Sequence, residues 1–288
     1  PHRRNDLLRS SFQLIDGIGP ERESDLWTDG VTTWDELLTA QPQHSEVLEA
    51  ANQSLVGRNA RYFQNVLGTA QCWRLYADFQ RETAFLDIET TGLSPENSYV
   101  TMVGIIDYTG FTAYVRGENL DELPDALRQY ALFVSFSGAS FDMPFLDKEF
   151  GRVAIYGGDS LFAHAAHLDL RYPLRRLGFK GGLKKIEQAT GLGRPSELSG
   201  LSGYDAVRLW KMANDGEPDA LTTLIRYNAE DVASLPRLTE LMVEEMAHGT
   251  PLSSTMPPAF PQYDTDALPY DSSLVRYLTR STRYSSRG

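Results

Sequence analysis

The stretch FLDIETTGL, residues 85–93, sets two carboxylates two positions apart, Asp87 and Glu89, among apolar neighbours. On a β-strand, residues i and i+2 point to the same face. Phe85, Leu86 and Ile88 mark the strand as buried, so the two acids repel one another unless a cation lies between them. Hard divalent ions such as Mg²⁺ or Mn²⁺ take such oxygen ligands, with substrate phosphate completing the shell. A solvent-facing pair is the competing reading, and the apolar flanks argue against it. Two further acids follow in order. VSFSGASFD, 134–142, runs from a predicted strand into a helix and leaves Asp142 at the helix start, where alone it reads as an N-cap. YNAED, 227–231, lies in a helical pattern, so Tyr227 and Asp231 share a face. By themselves these two would be an ordinary polar face.

Positioning such acids takes a sheet and helices. TAFLDIET, SYVTMVGIIDY, GFTAYVRG and ALFVSFSG, between about residues 82 and 138, are rich in β-branched and aromatic residues and predict strands, with a short strand HLDL at 167–170. Helical patterns are expected at 119–131, 142–150, 182–190, 203–214 and 218–248, the last broken or kinked at Pro236. This alternation implies an α/β layer architecture with a mixed sheet. Residues 1–75 read as helical pieces separated by GIGP and TDG, with Thr33 placed to cap a helix through WDELL. From residue 250 to 288 the chain is rich in Ser, Pro and Tyr without periodicity, and an extended tail is expected.

The 288 residues suit one larger and one smaller domain, and 41% hydrophobic with 23% charged residues is the composition of a soluble globular protein. No run of about 18 apolar residues spans a membrane, and no apolar signal stretch opens the sequence, so a cytoplasmic protein is the default expectation. The single cysteine, Cys72, excludes an internal disulfide and a cysteine-based zinc site. His164 and His167, three apart, lack an evident third ligand for zinc. A net charge of −12 argues against a polyanionic partner. Residues 171–185, RYPLRRLGFKGGLKK, oppose that objection with six basic residues and no acid. Acids clustered elsewhere reverse the local field once they bind cations.

Taken in this order, the motifs resemble those of the DEDD superfamily of 3′–5′ exonucleases. They are DIE at 87–89, the pair Phe141-Asp142, and Tyr-x-x-x-Asp at 227–231, within a likeness spanning about 83–247. The tyrosine variant is indicated, because Arg226 stands where the histidine variant has His, five before the last Asp. HLDLRYPLRRLGFKGGLKKIEQATGLGR and GYDAVRLW are similar to the YprB-like group, related to the exonuclease domain of family B DNA polymerases. The resemblance implies a ribonuclease H-like α/β fold over about 82–249, a mixed five-stranded sheet flanked by helices, beside a small helical N-terminal domain.

It also implies roles. Asp87, Glu89, Asp142 and Asp231 would hold two divalent cations, Mg²⁺ or Mn²⁺, and Tyr227 would orient the attacking water. An ordinary tyrosine titrates near about 10, which suits positioning better than obligate base catalysis. Thr90 and Leu93 would touch the terminal nucleotide, Leu93 as a wedge against the last base. Ser137 replaces the Asn that usually orders the substrate end, with shorter reach. The implied partner is the 3′ end of DNA, single-stranded, or RNA by the same chemistry. A non-catalytic nucleic-acid-binding module is the reading from another class. Arg175, Lys184 and Lys185 of the basic run would track the strand, with Gly181-Gly182 opening a helix whose free N–H groups favour an anion. Asp169 would support the site or the fold. FQLIDGIGPERESDLW resembles a helix–hairpin–helix element, with Gly17 and Gly19 offering N–H groups to phosphate. Glu23 would repel a phosphate it faced, and a structural turn docked on the nuclease domain is the equal alternative.

Overall fold

The computed structural model describes residues 7–151, 160–193 and 197–285. Arg194, the end of one stretch that carries the family likeness, lies outside them. The helices before the sheet are α1 (Pro20–Thr28), α2 (Trp34–Ala40), α3 (Ser45–Val56), α4 (Ala60–Leu67) and the short α5 (Tyr76–Phe79). Thr33 caps α2 as its sequence suggests: its hydroxyl accepts the Glu36 N–H, and the Glu36 carboxylate accepts the Thr33 N–H at 2.9 Å.

Five strands follow, β1 (Thr83–Thr90), β2 (Val100–Asp107), β3 (Gly110–Val115), β4 (Leu132–Ser135) and β5 (Ala166–Asp169), in the spatial order β3-β2-β1-β4-β5. β1 pairs antiparallel with β2 and parallel with β4, and β5 runs parallel to β4, so the sheet is mixed. Side chains of β1 alternate between two cores as the strand period requires. Ala84, Leu86 and Ile88 pack with α6 (Leu123–Leu127) and α7 (Asp142–Phe150) through Leu123, Phe145 and Leu146. Phe85 faces the opposite cluster, shared with Leu7, Phe63, Phe79 and Val232. The N-terminal helices and this face of the sheet therefore share one apolar cluster. The helix expected at 119–131 is confined to a 3₁₀ turn, Leu120–Glu122, and α6, where Pro124 stands in the first turn.

Beyond β5 come α8 (Arg171–Arg176), α9 (Leu183–Ala189), α10 (Gly203–Asn214), α11 (Pro218–Ala233) and α12 (Leu235–Ala247). The break expected at Pro236 falls two residues earlier, because proline is tolerated in the first turn of α12 and not inside a helix. The extended tail expected from 250 is corrected. It crosses the sheet and ends in α13 (Ser272–Ser285), whose Leu274, Val275 and Leu278 are buried with Leu201 and Trp210. Phe260 wedges its ring edge-on to Phe85 and Tyr108, with centroids 5.0 and 5.1 Å away. Arg226, paired with Glu230 of its own helix at 2.7 Å, clasps the segment by an ion pair to Asp266 at 2.6 Å and by donating to the Leu268 carbonyl. Among the described residues no helix is long and apolar enough to cross a membrane.

Candidate active site

Odd-numbered positions of β1 from Phe85 on face α11, so the strand that buries Phe85 also turns Asp87 and Glu89 to one side. There they meet Asp231, and one oxygen from each of the three lies within 4.8 Å of the others. Oxygens that share one cation at about 2.1–2.4 Å can stand no farther apart than about 4.2–4.8 Å, so the spacing fits a divalent ion. The electrostatics agree. Burial first, then the Asp231 charge, push the Glu89 carboxyl well above its ordinary range, with Asp142 adding to the rise. Such a group is neutralised by a proton or by a cation.

Asp142 stands at the start of α7 rather than within the triad. Its Oδ1 accepts the Ile88 N–H at 3.2 Å, tying α7 to β1 between the two strand acids. Burial raises its pKa to about 7. Tyr227 is buried on α11, one turn before Asp231.

Sequence reasoning missed Asn228. It is fully buried, and its Nδ2 donates to Asp87 Oδ2 at 3.0 Å, the Asp87 carbonyl at 3.3 Å and Glu89 Oε1 at 3.4 Å. Room for it exists because β2 carries Gly104 opposite Asp87; a Cβ there would come within 1.8 Å of Asn228 Oδ1. The available signal was an Asn, a poor helix former, inside an otherwise buried helix.

The remaining expected residues distribute around this centre. Thr90 is buried and its hydroxyl donates to the Gly92 carbonyl at 2.6 Å, while Leu93 projects into solvent, 89% exposed. Ser137 has φ +67°, a left-handed backbone for which Asn is better suited than Ser. Asp169 holds that loop: Oδ1 accepts from the N–H of Ser137 at 2.8 Å and of Arg171 at 3.1 Å, and Oδ2 from Ala139 at 3.1 Å. Arg175 and Lys185 lie on the exposed surface. Lys184 is not on that surface. Its Nζ lies 4.9 Å from the Tyr227 ring centroid, donates to the Leu201 carbonyl, and its charge acts on Glu89. First-turn side chains lean toward the helix N-terminus, and this carries Lys184 back to the acids.

His164 and His167 do not form a pair. The first bonds the Leu127 carbonyl, the second the Ser135 hydroxyl at 2.8 Å, and burial lowers the His167 pKa to about 4. At the N-terminal hairpin, Gly17 (φ +79°) and Gly19 are exposed around buried Ile18. The segment before them makes turns rather than an α-helix. Glu23 faces inward: Arg74 grips both its oxygens at 2.8 Å, and the Phe12 N–H donates to it at 2.7 Å.

A mixed sheet in this order, with acids on its central strand and a helix bringing the third, defines a ribonuclease H-like fold. Residues 84–243, more than half of the chain, match the family model RNase_H_2, and the chain belongs to the RNase_H superfamily. Among solved structures, the family B DNA polymerase of the hyperthermophilic archaeon Pyrobaculum calidifontis is similar at 17% identity and a TM-score of 0.42, over 60% of this chain. The match spans only 26% of that polymerase. Brucella melitensis NrnC bound to pGG is similar at 17% identity and a TM-score of 0.41, over 73% of this chain and 87% of its own. The same protein with bound Mg²⁺ is similar at 18% and 0.38, over 73% and 88%. No curated protein matches the sequence.

Proposed function

We propose that the chain is a metal-dependent exonuclease that releases nucleotides one at a time from the 3′ end of DNA, single-stranded at that end. The observation that carries this reading is the gathering of Asp87 and Glu89 of β1 with Asp231 of α11 within 4.8 Å, Tyr227 standing one turn before Asp231 on that helix. Divalent cations, when bound, would polarise the scissile phosphate and acidify the attacking water. Asp87, Glu89 and Asp231 would hold them, and Asp142 would complete the set from α7. Asn228 fixes the two strand carboxylates by donating to both. The Tyr227 phenol would position the water, and Lys184, stacked on its ring, sets a positive charge beside the acids. Thr90 and Leu93 would receive the terminal nucleotide, with Arg175 and Lys185 along the backbone and the Gly17–Gly19 hairpin as an outlying phosphate contact. Residues 1–75 would then serve as a helical unit beside a nuclease unit at 82–249.

The test is incubation of 5′-labelled single- and double-stranded DNA, and matched RNA, with Mg²⁺, Mn²⁺ or EDTA. A ladder shortening from the 3′ end, silenced by EDTA, is expected. Ladders on RNA alone would move the substrate to RNA, and internal cuts would remove the exonuclease assignment.

A further inference from the structure

Between the N-terminal helices and the β5 edge of the sheet lies a cavity of about 410 Å³. Trp73, Ala139, His167, Asp169, Tyr172 and Arg176 are among the residues that line it. None of the metal-site acids does. Its volume lies within the roughly 300–1,000 Å³ of small-ligand sites.

Three observations say what fits. Tyr172 offers an aromatic ring that is 57% exposed, a ring that in an ordinary core would be covered. Beside it Arg176 donates to the Ala70 carbonyl at 3.0 Å, which fixes an exposed guanidinium at the cavity. It belongs to a helix whose Arg171 and Arg175 are exposed too, within fifteen residues that hold no acid. The third is continuity. Ala139 lines the cavity, its N–H is held by Asp169, and Asp142 follows three residues later, so the cavity and the candidate metal site share one loop. An exposed aromatic face beside a fixed cation suits a nucleobase and its phosphate, since every base has a face to stack.

We propose that this cavity receives the base of an internal nucleotide of the bound strand, stacked on Tyr172, with the backbone passing along the arginines of α8. The proposal rests on the exonuclease reading. The sheet order puts β5 two strands from β1, on the order of 10 Å at about 4.8 Å per strand. That distance places the base upstream of the terminal nucleotide.

The experiment measures binding of single-stranded oligonucleotides to the full chain in Ca²⁺, intact or with one abasic residue at each of the first five positions from the 3′ end. Tyr172→Ala is expected to weaken binding of the intact strand about 5- to 150-fold, equivalent to about 1–3 kcal/mol per stacked base. One internal abasic position should cost the wild type as much and cost Tyr172→Ala nothing further, the mark of a lost shared contact. Tyr172→Phe should keep the affinity. Tyr172 is exposed, so an unchanged melting temperature checks the fold. If the wild type degrades DNA while Tyr172→Ala binds every strand normally, or loses affinity equally at all abasic positions, the cavity assignment is overturned and the nuclease stands. If a free nucleoside monophosphate binds in a Tyr172-dependent way without affecting strand binding, the cavity is a small-molecule site instead. If the wild type neither binds nor cleaves any strand, the exonuclease reading falls and this inference with it.

Discussion

Glu23 and Glu89 are both buried glutamates, 1% and 7% exposed, and the molecule treats them in opposite ways. Glu23 is saturated. A bidentate Arg74 takes both its oxygens, and the N–H groups of Phe12 and Gln13 and the Gln13 amide add to it. Glu89 meets Asp231, Asp142 and Asp87, against one amide from Asn228 and the charge of Lys184. Burying an acid is costly in both places. At Glu23 the protein offsets the cost with its own cation and gains a strut between α1 and the residues just before α5. At Glu89 the neighbouring carboxylates outnumber the groups that offset them. What separates these two acids is therefore the sign and number of their neighbours, and burial alone does not distinguish them.

Replacing one member of each group should break the molecule in different ways. Asp231→Ala is expected to lower cleavage more than about 1,000-fold, beyond the roughly 10- to 100-fold cost of losing an outer partner of a metal ligand. Its melting temperature in EDTA should hold or rise, because one like charge has gone. Near-normal turnover at saturating Mn²⁺ would remove Asp231 from the metal set. Glu23→Ala should do the reverse, since it strands Arg74 without its partner. Breaking a buried pair costs about 3–5 kcal/mol. Denaturant unfolding should show that loss while cleavage per folded molecule persists. Stability within about 1 kcal/mol of wild type would mean the pair is not the strut described.

The two acids also differ in how far they could be read from sequence. Glu89 was legible because alternation on an apolar strand forces it to the same face as Asp87, a purely local inference. Asp142, Tyr227 and Asp231 could be read as one set only through the order of the three motifs. Glu23 was not legible: its partner Arg74 is 51 residues away, and nothing local shows which way the α1 side chain turns. Asn228 stayed hidden for a similar reason, since its reach to Asp87 depends on the absent side chain of Gly104 on β2. The C-terminal helix escaped because its buried positions 274, 275 and 278 are spaced among Ser, Thr and Arg, and the segment leading into it is anchored by Arg226 of another helix.

Within the acid-rich region two smaller effects sharpen the contrast. Tyr227→Phe is expected to slow cleavage roughly 10- to 1,000-fold, the span for one positioning or proton-transfer group, with strand binding in Ca²⁺ unchanged. Full activity would reduce Tyr227 to packing under Lys184. Asp142→Asn addresses pH. Burial pushes the folded carboxyl up to about 7 from its ordinary 3.8, so the native state holds the extra proton between those values. The carboxyl therefore destabilises the metal-free protein most above pH 7, and that penalty fades as pH falls toward 3.8. His167, lowered to about 4, works the other way and costs stability as pH falls below 6.5. The informative quantity is thus the difference between variant and wild type. Asp142→Asn should melt higher at pH 8 in EDTA, by roughly 2–4 °C per kcal/mol recovered, and the gain should vanish near pH 4. A gain that grew on acidification would contradict the burial of this carboxyl.

The smallest effect concerns how a chain of net charge −12 holds a polyanion at all. The structure splits the basic run in two. Arg175 and Lys185 are exposed, whereas Lys184 is drawn in against Tyr227. If the exposed pair tracks the backbone, Arg175→Gln with Lys185→Gln should weaken strand binding similarly for every sequence. The slope of log affinity against log salt should flatten by about 1.4, since each phosphate contact on a single strand contributes about 0.7. Lys184→Gln should leave that slope closer to wild type and act on the cleavage rate, because its charge lies beside the acids rather than along the strand. The measurement is affinity for one single-stranded oligonucleotide in Ca²⁺ at several salt concentrations, paired with single-turnover rates in Mg²⁺. A slope unchanged in the double variant would shift the backbone contacts to another surface, the Gly17–Gly19 hairpin first. A slope lost equally in Lys184→Gln would place all three side chains on the strand, and the inward lysine would then turn outward when substrate binds.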